Sequence, residues 1–336
     1  MTSAQSWRVG RGGFAAALLL VCVLGVAVAT PKLLGTRVSQ ALDTLGRADP
    51  RWLWLAAAGF ALAVVGSAGS WRSGVSLVGG RTSLTDATAR YGAGSLVNTF
   101  VPARAGDAVR LGLFSRLVAG DQPLRTTGGA FAALGVARAA VLGVLVVAAA
   151  FAGAVPLWPL AVAAALVAVG VGAAVRARHS RAHILDAFRA LATSRTASLR
   201  LVGWITLSIA GRVAAATAIG AALGIGRPFI AALIIVPALD VAGILPVTPG
   251  NVGVANAAIA IAYRLHGVSL DHGIAAGITF QTLETAISLT VGIAGLLWLA
   301  PYRTPTARRV ALLGGVASYV LAIGSIFGAT VVVPLV

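Results

Sequence analysis

Charge is what this sequence has least of. Only 10% of its residues are Asp, Glu, Lys or Arg, against 58% hydrophobic residues and a mean hydropathy of +0.93. A soluble domain carries about 25% charged residues, so a water-solvated fold is excluded and most of the chain must contact lipid. Lysine is nearly missing: Lys32 stands alone beside 25 arginines, and nine acidic residues leave a formal charge of +17. In a soluble chain that balance would suggest nucleic acid. Here the basic residues cluster in loops between apolar segments without interleaved aromatics, which is the pattern that orients membrane helices and attracts anionic head groups. Cysteine occurs once, as Cys22 inside the first apolar run, which excludes an intrachain disulfide and a cysteine metal site.

The signatures of enzyme chemistry are missing as well. The chain has no G-x-S-x-G, no Walker A loop and no paired acidic cluster. His179 and His183 have the i,i+4 spacing of a metal pair, but Ser-Arg-Ala lies between them, without the glutamate of a metalloprotease helix. A solvated surface pair is the simpler account. The expectation is therefore no catalytic residue, no metal and no cofactor.

What is present is a series of apolar runs at 12–29, 52–70, 139–175, 213–226, 285–300 and 310–336. A bilayer core takes about 20 apolar residues per helix. The run 139–175 is too long for one span, and Pro156 and Pro159 divide it. The expected architecture is an all-α polytopic membrane protein with about seven spans. The first run follows Arg8 and Arg11 and ends in Ala27-Val28-Ala29, so a cleaved signal peptide is the alternative to a retained span. With the N-terminus inside, eighteen basic residues fall on the cytoplasmic side, six outside and two within helices. The Arg- and Ala-rich composition suggests a GC-rich bacterial genome, and hence a bacterial plasma membrane.

Segment 178–200 is too polar to span, and Ile184, Leu185, Phe188 and Leu191 share one helical face. It is expected to be an amphipathic cytoplasmic connector, either plainly solvated or lipid-sensing. It divides a first half-repeat, about 52–175, from a second, about 201–336.

Two stretches resist assignment as ordinary spans. One runs from Asn98 through Pro102, Arg104 and Gly106 to Asp107; the other runs from Ala242 through Pro246, Thr248, Pro249 and Gly250 to Asn251. Both contain an aliphatic residue, Pro-x-x-x-Gly and then Asp or Asn. Proline stops a helix, glycine permits a turn, and Asp or Asn suits a new helix start. That order predicts two re-entrant helical hairpins, tolerated in a membrane only where protein or water satisfies the broken backbone. Their equivalent places among the spans predict an inverted repeat, the plan of secondary transporters.

Four ionisable residues fall within or beside apolar runs: Arg138, Arg212, Asp240 and Glu284. Each costs at least about 2.5–3.5 kcal/mol to insert, so each needs a partner or a purpose. Arg138 and Glu284 fall at nearly equivalent positions of the two halves and are expected to face each other. The functional reading has Arg138 and Arg212 binding an anionic head group while Asp240 and Glu284 hold them or relay a proton; the alternative is a structural ion pair or snorkelling. Arg104 and Arg110, near the first break, either join the anion site or grip lipid head groups. Asp107 suits the start of its helix and can pair with either arginine. Backbone N–H groups near Gly106 and Gly250 are expected to favour an anion such as phosphate.

The stretch Asn98 to Arg110 resembles the N-x-x-x-P-x-R-x-G-E-x-x-R signature of the lysylphosphatidylglycerol synthase transmembrane-region family, also called flippase-like proteins. Pro246-Val247-Thr248-Pro249-Gly250-Asn251-Val252-Gly253 is similar to the family's second signature, P-x-T-P-G-G-x-G-x-x-E. The resemblance implies a membrane domain that moves a lipid or lipid-linked head group between leaflets, with Asn98, Pro102, Arg104, Gly106, Asp107, Arg110, Pro246, Thr248, Pro249, Gly250, Asn251 and Gly253 at the motif positions. This sequence departs from the pattern at Asp107, where Glu is usual, at Asn251, at Ala255 and Asn256, and at Ala137 before Arg138. The chain ends about where the membrane region does, so synthase activity is not expected. The implied partners are anionic membrane lipids, a second copy of the chain or a separate lipid-modifying enzyme, and not nucleic acid. A non-transporting scaffold for envelope assembly and a lipid-phosphate-dependent enzyme are the competing readings.

Overall fold

The computed structural model describes residues 48–101, 104–153, 194–243 and 252–300. The apolar runs 12–29 and 310–336, the part of 139–175 beyond Gly153, and residues 178–193 of the connector lie outside the described residues. So do Cys22, His179, His183, Pro102, Pro246, Thr248, Pro249, Gly250 and Asn251. Gly253 lies near the start of a described helix.

All regular structure among the described residues is helical. The elements are α1 (Pro50–Ser76), α2 (Leu84–Phe100), α3 (Ala105–Ser115), α4 (Pro123–Phe151), α5 (Arg195–Ala222), α6 (Pro228–Ala242), α7 (Val252–Arg264) and α8 (Leu270–Leu299). Four of them, α1, α4, α5 and α8, are long and apolar enough to cross a membrane. They correspond to the four expected spans that fall within the described residues.

Their limits differ from the apolar runs because caps, not hydropathy, start them. Asp49 accepts a hydrogen bond from the N–H of Arg51 ahead of Pro50, and Ser194 and Ser269 cap α5 and α8 through Ala197 and His272. Helix α5 thus begins at Arg195, within the segment expected to be connector, and runs through the whole stretch before the apolar run 213–226. Arg138, Arg212 and Glu284, at the edges of apolar runs, lie well inside α4, α5 and α8.

The order of lengths repeats. A long helix, two short ones and a long one make up α1 to α4, and the same order makes up α5 to α8. Each start trails its counterpart by a near-constant interval: Pro50 to Arg195, Leu84 to Pro228, Ala105 to Val252, Pro123 to Leu270. Contacts repeat in the same way, with α1 touching α2, α4 and α8 where α5 touches α6, α8 and α4. The short helices α2 and α6, of 17 and 15 residues, extend only ~25 Å and ~22 Å at 1.5 Å per residue, less than the ~30 Å hydrocarbon core.

Helices α1 and α5 form the central pair. They meet through small residues: a Cβ on Gly211 would lie 2.6 Å from the carbonyl oxygen of Gly59, and one on Gly66 would lie 2.5 Å from the Ser208 nitrogen. Where lipid removes the hydrophobic drive between helices, such close backbone approach is what supplies packing. The hydroxyls of Ser67 and Ser208 hydrogen-bond across the same seam at 2.8 Å. Phe60 of α1 meets Phe280 of α8 edge to face at 4.8 Å. By contrast α4 keeps much of its apolar surface outward, with Val144 70% and Phe151 84% exposed, as a lipid-facing helix does.

Candidate functional site

Two polar clusters stand inside this apolar frame. The first joins four helices. Arg138 of α4 donates from Nε and Nη2 to the two carboxylate oxygens of Asp240 on α6, at 3.0 and 3.1 Å. Arg212 of α5 donates from Nη1 to Oδ1 of the same Asp240 at 3.0 Å, and from Nη2 to Oε1 of Glu284 on α8 at 2.6 Å. The result is a chain of alternating charge, Arg138, Asp240, Arg212 and Glu284, with no net charge. Arg138 and Glu284 do not face each other as the sequence spacing suggested. Each pairs instead with an opposite charge from another helix, because Asp240 stands between the two guanidiniums and Arg212 passes on to Glu284.

Burial here is partial. The side chains of Asp240 and Arg212 are each 18% exposed, that of Arg138 24% and that of Glu284 31%, so the ends of the chain are its more accessible parts. The Nε of Arg212 is buried and has no acceptor among the described residues. Glu284 is the chain's one glutamate and meets Arg212 through a single oxygen.

The second cluster is built by the hairpin of α2 and α3. Arg104 precedes α3 with a left-handed backbone, φ 56° and ψ 32°, a conformation that a side chain bearing a Cβ rarely adopts. The turn brings Gly106 against Gly94, where the Cβ of any other residue at position 106 would overlap the carbonyl oxygen of Gly94 and the amide of Asn98. Asn98 Oδ1 accepts from the Gly106 N–H at 2.6 Å, and its Nδ2 donates to Asp107 at 3.3 Å. The Gly106 N–H, expected to be open to an anion, is therefore already satisfied. Asp107 pairs with both arginines, at 2.9 Å to Arg104 Nε and 2.5 Å to Arg110 Nη1.

The two arginines have different positions. Arg110 is buried, with Nη2 donating to Ser95 Oγ at 2.6 Å and Nε to the Tyr91 carbonyl at 3.2 Å, and its guanidinium lies 4.0 Å from the centre of the Tyr91 ring. It is committed to the fold. Arg104 is 53% exposed and spends only Nε on Asp107. Tyr91 and Ser95 were not singled out from the sequence, although with Asn98 they follow an i, i+4, i+7 spacing that marks one face of α2.

Of the residues expected to form a site, the structure brings together Arg138, Arg212, Asp240 and Glu284 in one cluster and Asn98, Arg104, Gly106, Asp107 and Arg110 in the other. No group of three or more His, Cys, Asp or Glu able to hold a metal occurs among the described residues.

Comparison with known families agrees with the architecture. The family model for the lysylphosphatidylglycerol synthase TM region matches residues 13–292, which is most of the chain. The chain belongs to that family, and it is a multi-pass membrane protein of the flippase-like type. No curated protein matches it significantly.

Proposed function

We propose that this member of the lysylphosphatidylglycerol synthase TM region family translocates an anionic, phosphate-bearing lipid or lipid-linked head group across a bacterial plasma membrane. The observation that carries the reading is the chain of charges on Arg138, Asp240, Arg212 and Glu284. Four charges joined by three ion pairs within an apolar helical frame are expensive to insert and are weak sources of net stability; they are worth keeping where a ligand exchanges with them. A phosphate offers the acceptor geometry that a carboxylate does, so it can replace Asp240 on Arg138 and Glu284 on Arg212 without leaving either guanidinium unpaired. The buried Nε of Arg212 supplies a further donor. Arg104, half exposed beside the α2–α3 turn, offers a first contact to the head group.

The repeated order of helix lengths supports an inverted repeat of two four-helix halves, each with a re-entrant pair: α2 and α3 in the first, α6 and α7 in the second. In that arrangement the second sequence motif, with Pro246, Thr248, Pro249, Gly250, Asn251 and Gly253, is the counterpart of the first, with Pro102 and Gly106. The distribution of arginine supports a cytoplasmic N-terminus. The protein acts on the position of the lipid and performs no bond chemistry, and it takes its substrate from the bilayer or from a separate lipid-modifying enzyme.

The test is translocation of fluorescent phosphatidylglycerol, aminoacyl-phosphatidylglycerol and polyprenyl-phosphate analogues in proteoliposomes, comparing wild type with Arg104→Ala. Selective movement that slows in the variant is the expected result. Lipid binding without movement of any analogue would instead support a non-transporting scaffold.

A further inference from the structure

A third basic feature lies apart from both clusters. At one end of the central helix pair, the last turns of α1, the connection to α2 and the early turns of α5 border a half-open cavity of about 600 Å³, lined by Arg72, Ser73, Ser76, Arg81, Thr82, Arg200 and Trp204, with Gly80 in its wall; the three arginines are exposed. That volume lies within the ~300–1,000 Å³ of small-molecule sites. Three arginines and three hydroxyl-bearing residues stand around a largely apolar surface, and no acidic residue does among the described residues. Arg72 is held in place by donating from Nε to the Thr82 carbonyl at 2.9 Å, while no ion pair joins Arg72, Arg81 or Arg200 to an acid among the described residues.

We infer that this cavity is a second anion site, distinct from the Arg138 to Glu284 chain, which binds a phosphate group between Arg72, Arg81 and Arg200. Like charges gathered around one space repel one another, and an anion with several acceptor oxygens removes that repulsion while filling the donors. The Ser76 and Thr82 hydroxyls already donate to the carbonyls of Ser73 and Ser83, so the arginines carry the binding, and the indole of Trp204 gives the cavity the apolar edge of a membrane interface. The arginines come from residues that the basic-residue distribution assigns to the cytoplasmic side, so the ligand is either the head group of an anionic lipid in that leaflet or a soluble phosphate compound.

The experiment titrates inorganic pyrophosphate, by calorimetry, into the purified full chain in nanodiscs of neutral phosphatidylcholine. Saturable binding is expected, weakened about tenfold by Arg81→Gln or Arg200→Gln, the loss of one charge-assisted contact. Arg125→Gln, an exposed arginine outside the cavity, should bind as wild type does. Repeating the titration in nanodiscs containing phosphatidylglycerol separates the sources: suppressed binding identifies a lipid head group as occupant, and unchanged binding identifies a soluble phosphate. Absence of saturable binding in phosphatidylcholine, or equal affinity in wild type, Arg81→Gln and Arg200→Gln, overturns the inference.

Discussion

Arg138 grips both carboxylate oxygens of Asp240 with hydrogen bonds of 3.0 and 3.1 Å, although 102 residues of chain separate them. This bidentate contact ties α4 of the first half to α6 of the second. Because Asp240 also receives Arg212, it is the one member of the chain whose loss takes a carboxylate from two cations at once.

That asymmetry orders the effects of neutralising each member. Asp240→Asn should destabilise the protein by about 3 kcal/mol, as breaking a buried pair does, because Arg138 loses its carboxylate and Arg212 retains only Glu284. Arg138→Gln should cost distinctly less, since Asp240 keeps Arg212. Thermal unfolding in detergent checks the order, and the double variant Arg138→Gln/Asp240→Asn should recover part of what Asp240→Asn loses.

The α2–α3 turn predicts a matched pair of glycine substitutions. Gly106→Ala should prevent the hairpin from closing, because its Cβ would overlap the Gly94 carbonyl and Asn98. Gly112→Ala, one helix face away with open space around it, should leave folding intact or stabilise α3 by up to about 1 kcal/mol. Yield of monodisperse protein on size-exclusion chromatography separates the two.

Arginines 104 and 110 should separate stability from transport. Arg110→Ala removes a buried guanidinium that serves Asp107, Ser95, the Tyr91 carbonyl and the Tyr91 ring, so it should lower the melting temperature by several degrees. Arg104→Ala removes an exposed cation with one ion-pair partner among the described residues and should barely shift melting while slowing lipid movement. Melting curves and translocation rates measured on the same preparations test the split.

Asn98→Ala should cost about 1–2 kcal/mol, the usual penalty for losing a helix-start acceptor, because the Gly106 N–H then lacks its partner. Hydrogen exchange at Gly106 should accelerate in this variant and stay slow in wild type.

Much of this arrangement was legible in the sequence. The motif around Pro102 and Gly106 marked a turn between two short helices, since Pro, Gly and Asp carry local backbone preferences that act without knowledge of the rest of the fold. Arg138, Arg212, Asp240 and Glu284 stood out because charge in an apolar run is costly wherever it packs. Their partners were not legible. Which carboxylate meets which guanidinium depends on how α4, α5, α6 and α8 approach one another, and equivalent sequence positions gave Arg138 and Glu284 the wrong mate. Helix starts were misjudged for a related reason: hydropathy assigns Arg195 and Arg200 to an amphipathic surface helix, whereas Ser194 caps the long apolar helix α5 that carries both. The Arg72, Arg81 and Arg200 cavity was invisible because its residues come from the end of one span and the start of another, and only the close α1–α5 seam brings them together.

The most direct measurement is the initial rate of head-group movement in proteoliposomes holding both a phosphatidylglycerol and a phosphatidylcholine analogue, for wild type and Arg138→Gln at matched folded content. The account predicts that wild type moves the anionic analogue in preference and that Arg138→Gln loses most of that rate with little change for phosphatidylcholine. Undiminished, selective phosphatidylglycerol movement by Arg138→Gln would contradict it, and would leave the Arg138 and Asp240 pair a purely structural tie.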